Sequence, residues 1–321
     1  MIDSNSKKVD SQKLTENSLK YFPPKINDFT FVKEFYPDKR VRHFDFAIYE
    51  NENGKRVVAK QWNKSCKYID YFWLINEINV YKEIHRVVGD FPEISRKYPT
   101  IKIPKLFGVF KKERSLTILI EEIDGQSIKI LPVEKQIEIF QDVIGYLFFL
   151  GGKMDRSAKN ILIRRSFWYI AAMFPPIFII ATINNPKKLF YFLSGAASFF
   201  LNFLRIDNKK DEGLVHRDLS TDHLIIKQDS VWVIDFQVSV IANPAFEIIG
   251  LMSNLWKNSD ISEDLKKRII EETVKNDKNR FYAYKTLSIY TAFYNLGVDK
   301  SMTSEQAISY LNYSLSLKFE K

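Results

Sequence analysis

The chain has 321 residues, room for two ordinary domains or for one large two-lobed domain, and its 45% hydrophobic and 27% charged content excludes a fibrous or disordered protein. None of the 11 glycines stand in G-x-G spacing, which excludes the dinucleotide-binding glycine fingerprint. The charge of +9, from 48 basic and 39 acidic residues, is scattered along the chain; it suits a phosphate-bearing partner, an anionic membrane face or a merely solvated surface, and does not imply nucleic acid.

Residues 1–25 read as a polar tail, since MIDSNSKKVDSQKLTENSLK lacks the apolar run of a secretory signal. With Cys66 the single cysteine, no internal disulfide forms, and a cytoplasmic location is expected. Between 29 and 62 the segments FTFVKEF, VRHFDFAIYE and KRVVAKQW read as strands. Phe44, Phe46 and Ile48 alternate onto one face, and NENG supplies a hairpin turn. Over 68–88 the apolar stripe Trp73, Ile75, Ile78, Val80, Tyr81 and Ile84 predicts a long helix. IPKLFGVF and SLTILIEEI add two strands around the polar KKER turn. Five strands and an inserted helix thus predict a small α+β lobe over 26–124. Beyond Gly125 long helical patterns take over, the first following Pro132, with HLIIK and VWVIDF the one strand pair expected to interrupt them. Helices are expected at 244–256, 263–274, 281–297 and 304–315, giving a mainly helical lobe over 125–321.

Five features follow one another in a chemically meaningful order: Lys60 ending the strand VVAK, Glu77 on the next helix, ILIEEIDG, HRDL with Asp218, and Asp235 in VWVIDFQ. A strand lysine offers a fixed positive charge for nucleotide phosphates, and a helix glutamate positions it. The carboxylate of Asp218, in a loop before a strand, suits accepting or orienting the proton of an attacking hydroxyl. Asp235, at the end of the next strand, suits a metal ion that bridges phosphates.

This order resembles the protein-kinase-like superfamily, and more narrowly its aminoglycoside phosphotransferase and lipopolysaccharide-kinase branch. VVAK resembles the family's third strand, ILIEEIDG its hinge, HRDL its catalytic loop, IDFQ its metal-binding motif and NPAFEI the helix start of the small-molecule branch. The absence of an activation segment between IDFQ and that helix argues against a protein kinase. The resemblance implies a two-lobed kinase-like fold and transfer of the γ-phosphate of ATP, with Mg²⁺ or Mn²⁺, to a hydroxyl of a small-molecule or lipid-linked acceptor. Asp218 would be catalytic, Lys60, positioned by Glu77, would hold the nucleotide phosphates, Glu121, Glu122 and Ile123 would meet the adenine through backbone groups, and Asp235 would be the main metal ligand. Two departures stand out. His223 occupies the place of the family's asparagine, where it would ligate a metal through nitrogen, donate to phosphate, or mark a degenerate site; neighbouring Asp222 is a candidate substitute ligand. The loop FYPDKRVRHF has no glycine, which leaves Lys39, Arg40 and Arg42 as stand-ins for backbone contacts. Both departures also fit an alternative, a membrane-associated pseudokinase acting as a binding or regulatory module. His216 reads as a packing residue beneath the loop.

Within the second lobe, 166–186 and 189–204 carry no charge and are rich in Phe, Ile and Leu. They are interrupted by Pro175-Pro176 and Ser194-Gly195 and flanked by Arg164, Arg165, Arg205, Lys209 and Lys210. The insert 166–204 therefore reads either as an interfacial helical hairpin on the cytoplasmic face of a membrane or as buried helices of the lobe.

Overall fold

The computed structural model describes residues 22–35, 44–63, 65–112, 114–207, 212–257, 274 and 277–319. All of the expected helix at 263–274 except Val274, and the loop side chains Lys39, Arg40 and Arg42, lie outside these residues, as does the tail through residue 21. Two compact units divide the chain: Met1–Lys82 with Ile103–Asp124, and Glu83–Lys102 with Gly125–Lys321.

In the first unit, β1 (Lys25–Ile26), β2 (Phe29–Phe35), β3 (Asp45–Asn51), β4 (Arg56–Asn63), β6 (Leu106–Lys112) and β7 (Ser115–Glu121) form an antiparallel sheet in the order β1-β2-β3-β4-β7-β6. The NENG turn closes the β3–β4 hairpin. Asn51 Oδ1 accepts from Asn53 N and Lys55 N, and Gly54 takes the left-handed φ of 72° that a side chain would resist. Strand alternation places Val57 and Ala59 in a core with Phe22, Phe29, Tyr49 and Leu119. Phe22, expected in the polar tail, is thus a core residue. The same alternation sends Lys60 to the opposite face, where α1 (Tyr68–Asp90) brings Leu74, Ile78 and Tyr81 to burial.

In the second unit, α3 (Val133–Lys153) follows directly on Pro132 and buries Ile137, Phe140, Val143, Leu147 and Leu150 on one stripe. This unit also holds α2 (Glu93–Lys97), α4 (Arg156–Ile161), α5 (Phe167–Asn184), α6 (Leu189–Phe203), α7 (Ala245–Lys257), α8 (Lys278–Tyr294) and α9 (Ser304–Ser316). Buried nearly all round through Phe281, Tyr284, Leu287, Ile289 and Phe293, α8 is the central post against which α5, α6, α7 and α9 pack. More β-structure occurs here than expected. HLIIK and VWVIDF form β10 (Leu224–Lys227) and β11 (Ser230–Val233), and the short β5 (Ile101–Lys102) and β8 (Gln126–Ser127) flank them in the order β5-β11-β10-β8. A further pair, β9 (Gly213–Val215) and β12 (Val240–Ala242), brackets the candidate site. The expectation of a single strand pair is corrected, because elements of two or three residues are too short to show alternation.

The hydrophobic insert is a helical hairpin and shares both characters its sequence left open. Inner residues Phe174, Phe192 and Phe199 are core: Phe174 and Phe199 stack with centroids 3.8 Å apart, and Phe293 of α8 meets the Phe174 and Phe192 rings edge-on. Its outer side remains apolar and exposed.

Candidate functional site

In the first unit, Lys60 lies mid-sheet on β4, paired across to Phe46 and Ile118. Its Nζ donates to Glu77 Oε2 at 2.8 Å, the two side chains being 5% and 1% exposed. The Phe44 ring sits 4.6 Å from the ammonium. Glu83, the other acid on this stretch of helix, engages Arg86 instead. Taking two charges out of water costs several kcal/mol each, so a buried pair of this kind is a weak device for stability alone. Among the hinge residues, the Glu121 and Glu122 N–H groups donate to Lys105 O and Arg56 O, and the Glu122 carboxylate meets the Arg56 guanidinium at 3.0 Å. Neither N–H is therefore open to a nucleotide. Among the described residues, the backbone of Ile123 alone of the three makes no such bond.

In the second unit, two short strand pairs assemble the loop. The β10–β11 register sets Leu224 opposite Val233, so the residue before β10 meets those after β11, and Ile234 N donates to His223 O at 3.1 Å. His223 and Asp235 thereby become neighbours, with Nε2 and Oδ2 3.6 Å apart. The β9–β12 pair positions the HRDL loop from the other side. His216 is fully buried, its Nε2–H donating to Ile234 O at 2.8 Å, in keeping with a packing role.

His223 Nδ1 stands 2.5 Å from the carbonyl oxygen of Asp218 and 4.0 Å from its Oδ2. A carbonyl only accepts, so Nδ1 carries a proton, and Nε2 is the ring nitrogen that faces Asp235. Asp218 and Asp235 thus converge on one imidazole. Partial burial raises the Asp218 pKa above the ordinary aspartate value; the His223 charge opposes this and the Asp235 charge adds to it. Arg217 and Asp235 hold left-handed φ values of 70° and 65°, backbone that non-glycine residues adopt at a cost of order 1–3 kcal/mol and that clusters at functional sites.

Asp222, the candidate substitute ligand, is turned away: Lys129 Nζ donates to both its oxygens, at 2.8 and 2.9 Å, on an exposed surface. The sequence reading overlooked Glu247. This fully buried carboxylate, in the first turn of α7, accepts from His216 N at 2.5 Å and Arg217 N at 2.9 Å, and so fixes the backbone leading into Asp218. Burial pushes its pKa up to about 7 against the opposing pull of those N–H groups. The available signal was an acid three residues after the proline of Asn-Pro, in the first turn of a helix, in NPAFEI.

As a donor set for a divalent cation, the Asp235 carboxylate and His223 Nε2 fit. Among the described residues no third His, Cys, Asp or Glu joins them, which suits a cation that takes its remaining ligands from phosphates and water rather than a closed protein cage.

A model of a family described as "Phosphotransferase enzyme family" matches residues 191–272, a stretch that includes Asp218, His223, Asp235 and Glu247. No curated protein matches the sequence. Among solved structures, a thermostable mutant of aminoglycoside phosphotransferase APH(4)-Ia is 12% identical with a TM-score of 0.53, covering 89% of this chain and 93% of that one. The amicoumacin kinase hAmiN, solved with AMP-PNP and Ca²⁺, is 12% identical with a TM-score of 0.53, covering 97% and 96%. The macrolide 2'-phosphotransferase MphH from Brachybacterium faecium is 10% identical with a TM-score of 0.51, covering 98% and 100%. The resemblance to phosphotransferases drawn from the motifs holds, and the fold is the α+β, kinase-like one.

Proposed function

We propose that this chain of kinase-like fold is an ATP-dependent phosphotransferase that moves the γ-phosphate to a hydroxyl of a small-molecule or lipid-linked acceptor at a membrane surface. The observation that carries the reading is the convergence of Asp218 and Asp235 on His223, in a loop held from below by Glu247. Lys60, locked by Glu77, would hold nucleotide phosphates, and Ile123 is the hinge residue with its backbone open to adenine. Asp218 would orient the acceptor hydroxyl and take up its proton. Asp235 and His223 would hold Mg²⁺ or Mn²⁺, which supplies neutralisation of the phosphate charge. With little covalent chemistry asked of the protein, rate enhancement would come from positioning and preorganised charge.

Titration of the full chain with ATP and Mg²⁺ or Mn²⁺, followed by thermal shift and slow ATP hydrolysis, tests this. At about 100 times Kd, nucleotide should add about 2.7 kcal/mol of stability. Both signals should disappear in Asp235→Ala. Absence of nucleotide binding with either metal in folded protein would overturn the enzyme reading and leave a pseudokinase.

A further inference from the structure

The outer side of the α5–α6 hairpin is the largest chemical anomaly of the surface. On α5, exposure recurs every three or four residues, at Trp168, Ala172, Pro175, Ile179 and Ile183; α6 exposes Phe190, Leu193 and Leu201, and Leu204 follows just past its end. A surface helix of a soluble protein should present its polar residues there, whereas these present aromatic and aliphatic ones, Phe190 at 87% exposure. The face cannot be dismissed as core left half-packed, because each helix has a separate inner stripe already packed, Phe174 and Phe192 on Phe293 of α8 and Phe199 on Phe174.

Charge identifies the occupant. Residues 156–206 contain no Asp or Glu. The hairpin tip carries exposed Lys187 and Lys188, and its base carries Arg164, Arg165 and Arg205. At the base Arg164 is bridged by Glu212 at 3.0 Å, so the exposed tip lysines are the charges on offer, and cations beside an apolar face complement an anionic bilayer. Of the described helices, α5 alone is long and apolar enough to cross a membrane, yet its inner stripe is committed to the protein core, so it suits lying on a bilayer rather than crossing it.

The base of the hairpin adjoins the candidate catalytic loop. Arg165 sits 5.5 Å from both the Tyr169 and the Phe246 rings, and Phe246 precedes the Glu247 that holds Arg217 N. The Arg165 charge also contributes to lowering the Arg217 pKa, after burial, so two guanidiniums share the neighbourhood of Asp218.

We propose that the outer face of the α5–α6 hairpin is a membrane-docking surface that lies in the headgroup region of an anionic bilayer, with Lys187 and Lys188 on lipid phosphates and the Asp218 loop near that plane. This deepens the membrane-surface part of the function proposed above and rests on it for what is delivered to Asp218; docking itself requires no catalysis.

The test is co-sedimentation of the full chain with vesicles of phosphatidylcholine alone and of a phosphatidylcholine–phosphatidylglycerol mixture, alongside light scattering without lipid. Binding to the anionic vesicles should be tighter by about tenfold or more. Ile183→Asp with Phe190→Asp, both exposed and outside the core, should release the protein while leaving ATP-dependent thermal shift unchanged. Asp235→Ala should lose the nucleotide response and still sediment, which separates failure of docking from failure of the phosphotransferase reading. Equal or absent binding to both vesicle types, or sedimentation unaffected by the double substitution, overturns the proposal. So does a dimer that the double substitution dissociates, since a second copy would then be the occupant.

Discussion

Lys60 and Glu77 each stabilise the other only because both are charged, and neither reaches water. Lys60→Ala should therefore cost about 3–5 kcal/mol by removing the cation that faces the buried Glu77 carboxylate, while Lys60→Met combined with Glu77→Leu should recover most of it; urea denaturation of the four-protein cycle measures the coupling. Glu247 yields a pH signature of definite sign. Its folded pKa, about 7, exceeds the ordinary glutamate value of about 4.5, so its stabilising contribution is complete below 4.5 and is lost as pH rises to 7. Relative to Glu247→Gln, which keeps an acceptor for the His216 and Arg217 N–H groups, wild type should lose on the order of 3 kcal/mol between those limits, read as the change in urea midpoint at pH 4.5 and 7.5. For Asp218 the raised pKa predicts that the acid limb of turnover lies above the ordinary aspartate range, rising with pH as the carboxylate forms, and the pH–rate profile checks it. Side chains with a motif around them were legible in the sequence: Lys60, Asp218 and Asp235 stand in recognisable strings. Glu247 was not, because its work is done through backbone N–H groups, which leave no mark on residue spacing.

At the scale of elements, the neighbouring glycines at the end of α3 should respond with opposite signs. A Cβ on Gly151 would stand 2.1 Å from Leu214 N, in the backbone of β9, whereas one on Gly152 would meet nothing within 4 Å. Gly151→Ala should destabilise by about 1–3 kcal/mol, and Gly152→Ala should stabilise by up to about 1 kcal/mol, both from chemical denaturation. Long elements were legible for the same reason that α3 tolerates only one of these changes: a helix of several turns repeats its buried stripe, and a seven-residue strand alternates enough to declare a face. β2 and α1 were accordingly readable from pattern. β9 and β12 were not, since three-residue strands depend on what they pair with, here each other, and that pairing joins residues far apart in the chain. The insert stayed ambiguous because its apolar residues run all round both helices; only the packing of α8 decides which stripe is core.

For the whole molecule, an excess of nine positive charges includes the stretch 156–206, which has basic residues and no acidic one. Vesicle binding should therefore weaken as salt rises from about 0.1 to 0.5 M while an apolar remainder persists, because screening shortens electrostatic reach from about 10 Å to less than half of that and leaves hydrophobic burial intact; titration of sedimentation against NaCl reads both parts. The paired prolines of α5 add a limit of another kind. Pro175 and Pro176 have no N–H to offer, so the carbonyls of Ala171 and Ala172 one turn earlier lack their helical donors, and both prolines lie on the exposed side. Carbonyls without donors are expensive in hydrocarbon and content among water and headgroups. On the docking proposed above, the double proline would act as a depth gauge, a hydrated notch halfway along an otherwise greasy rod, holding the hairpin at the waterline.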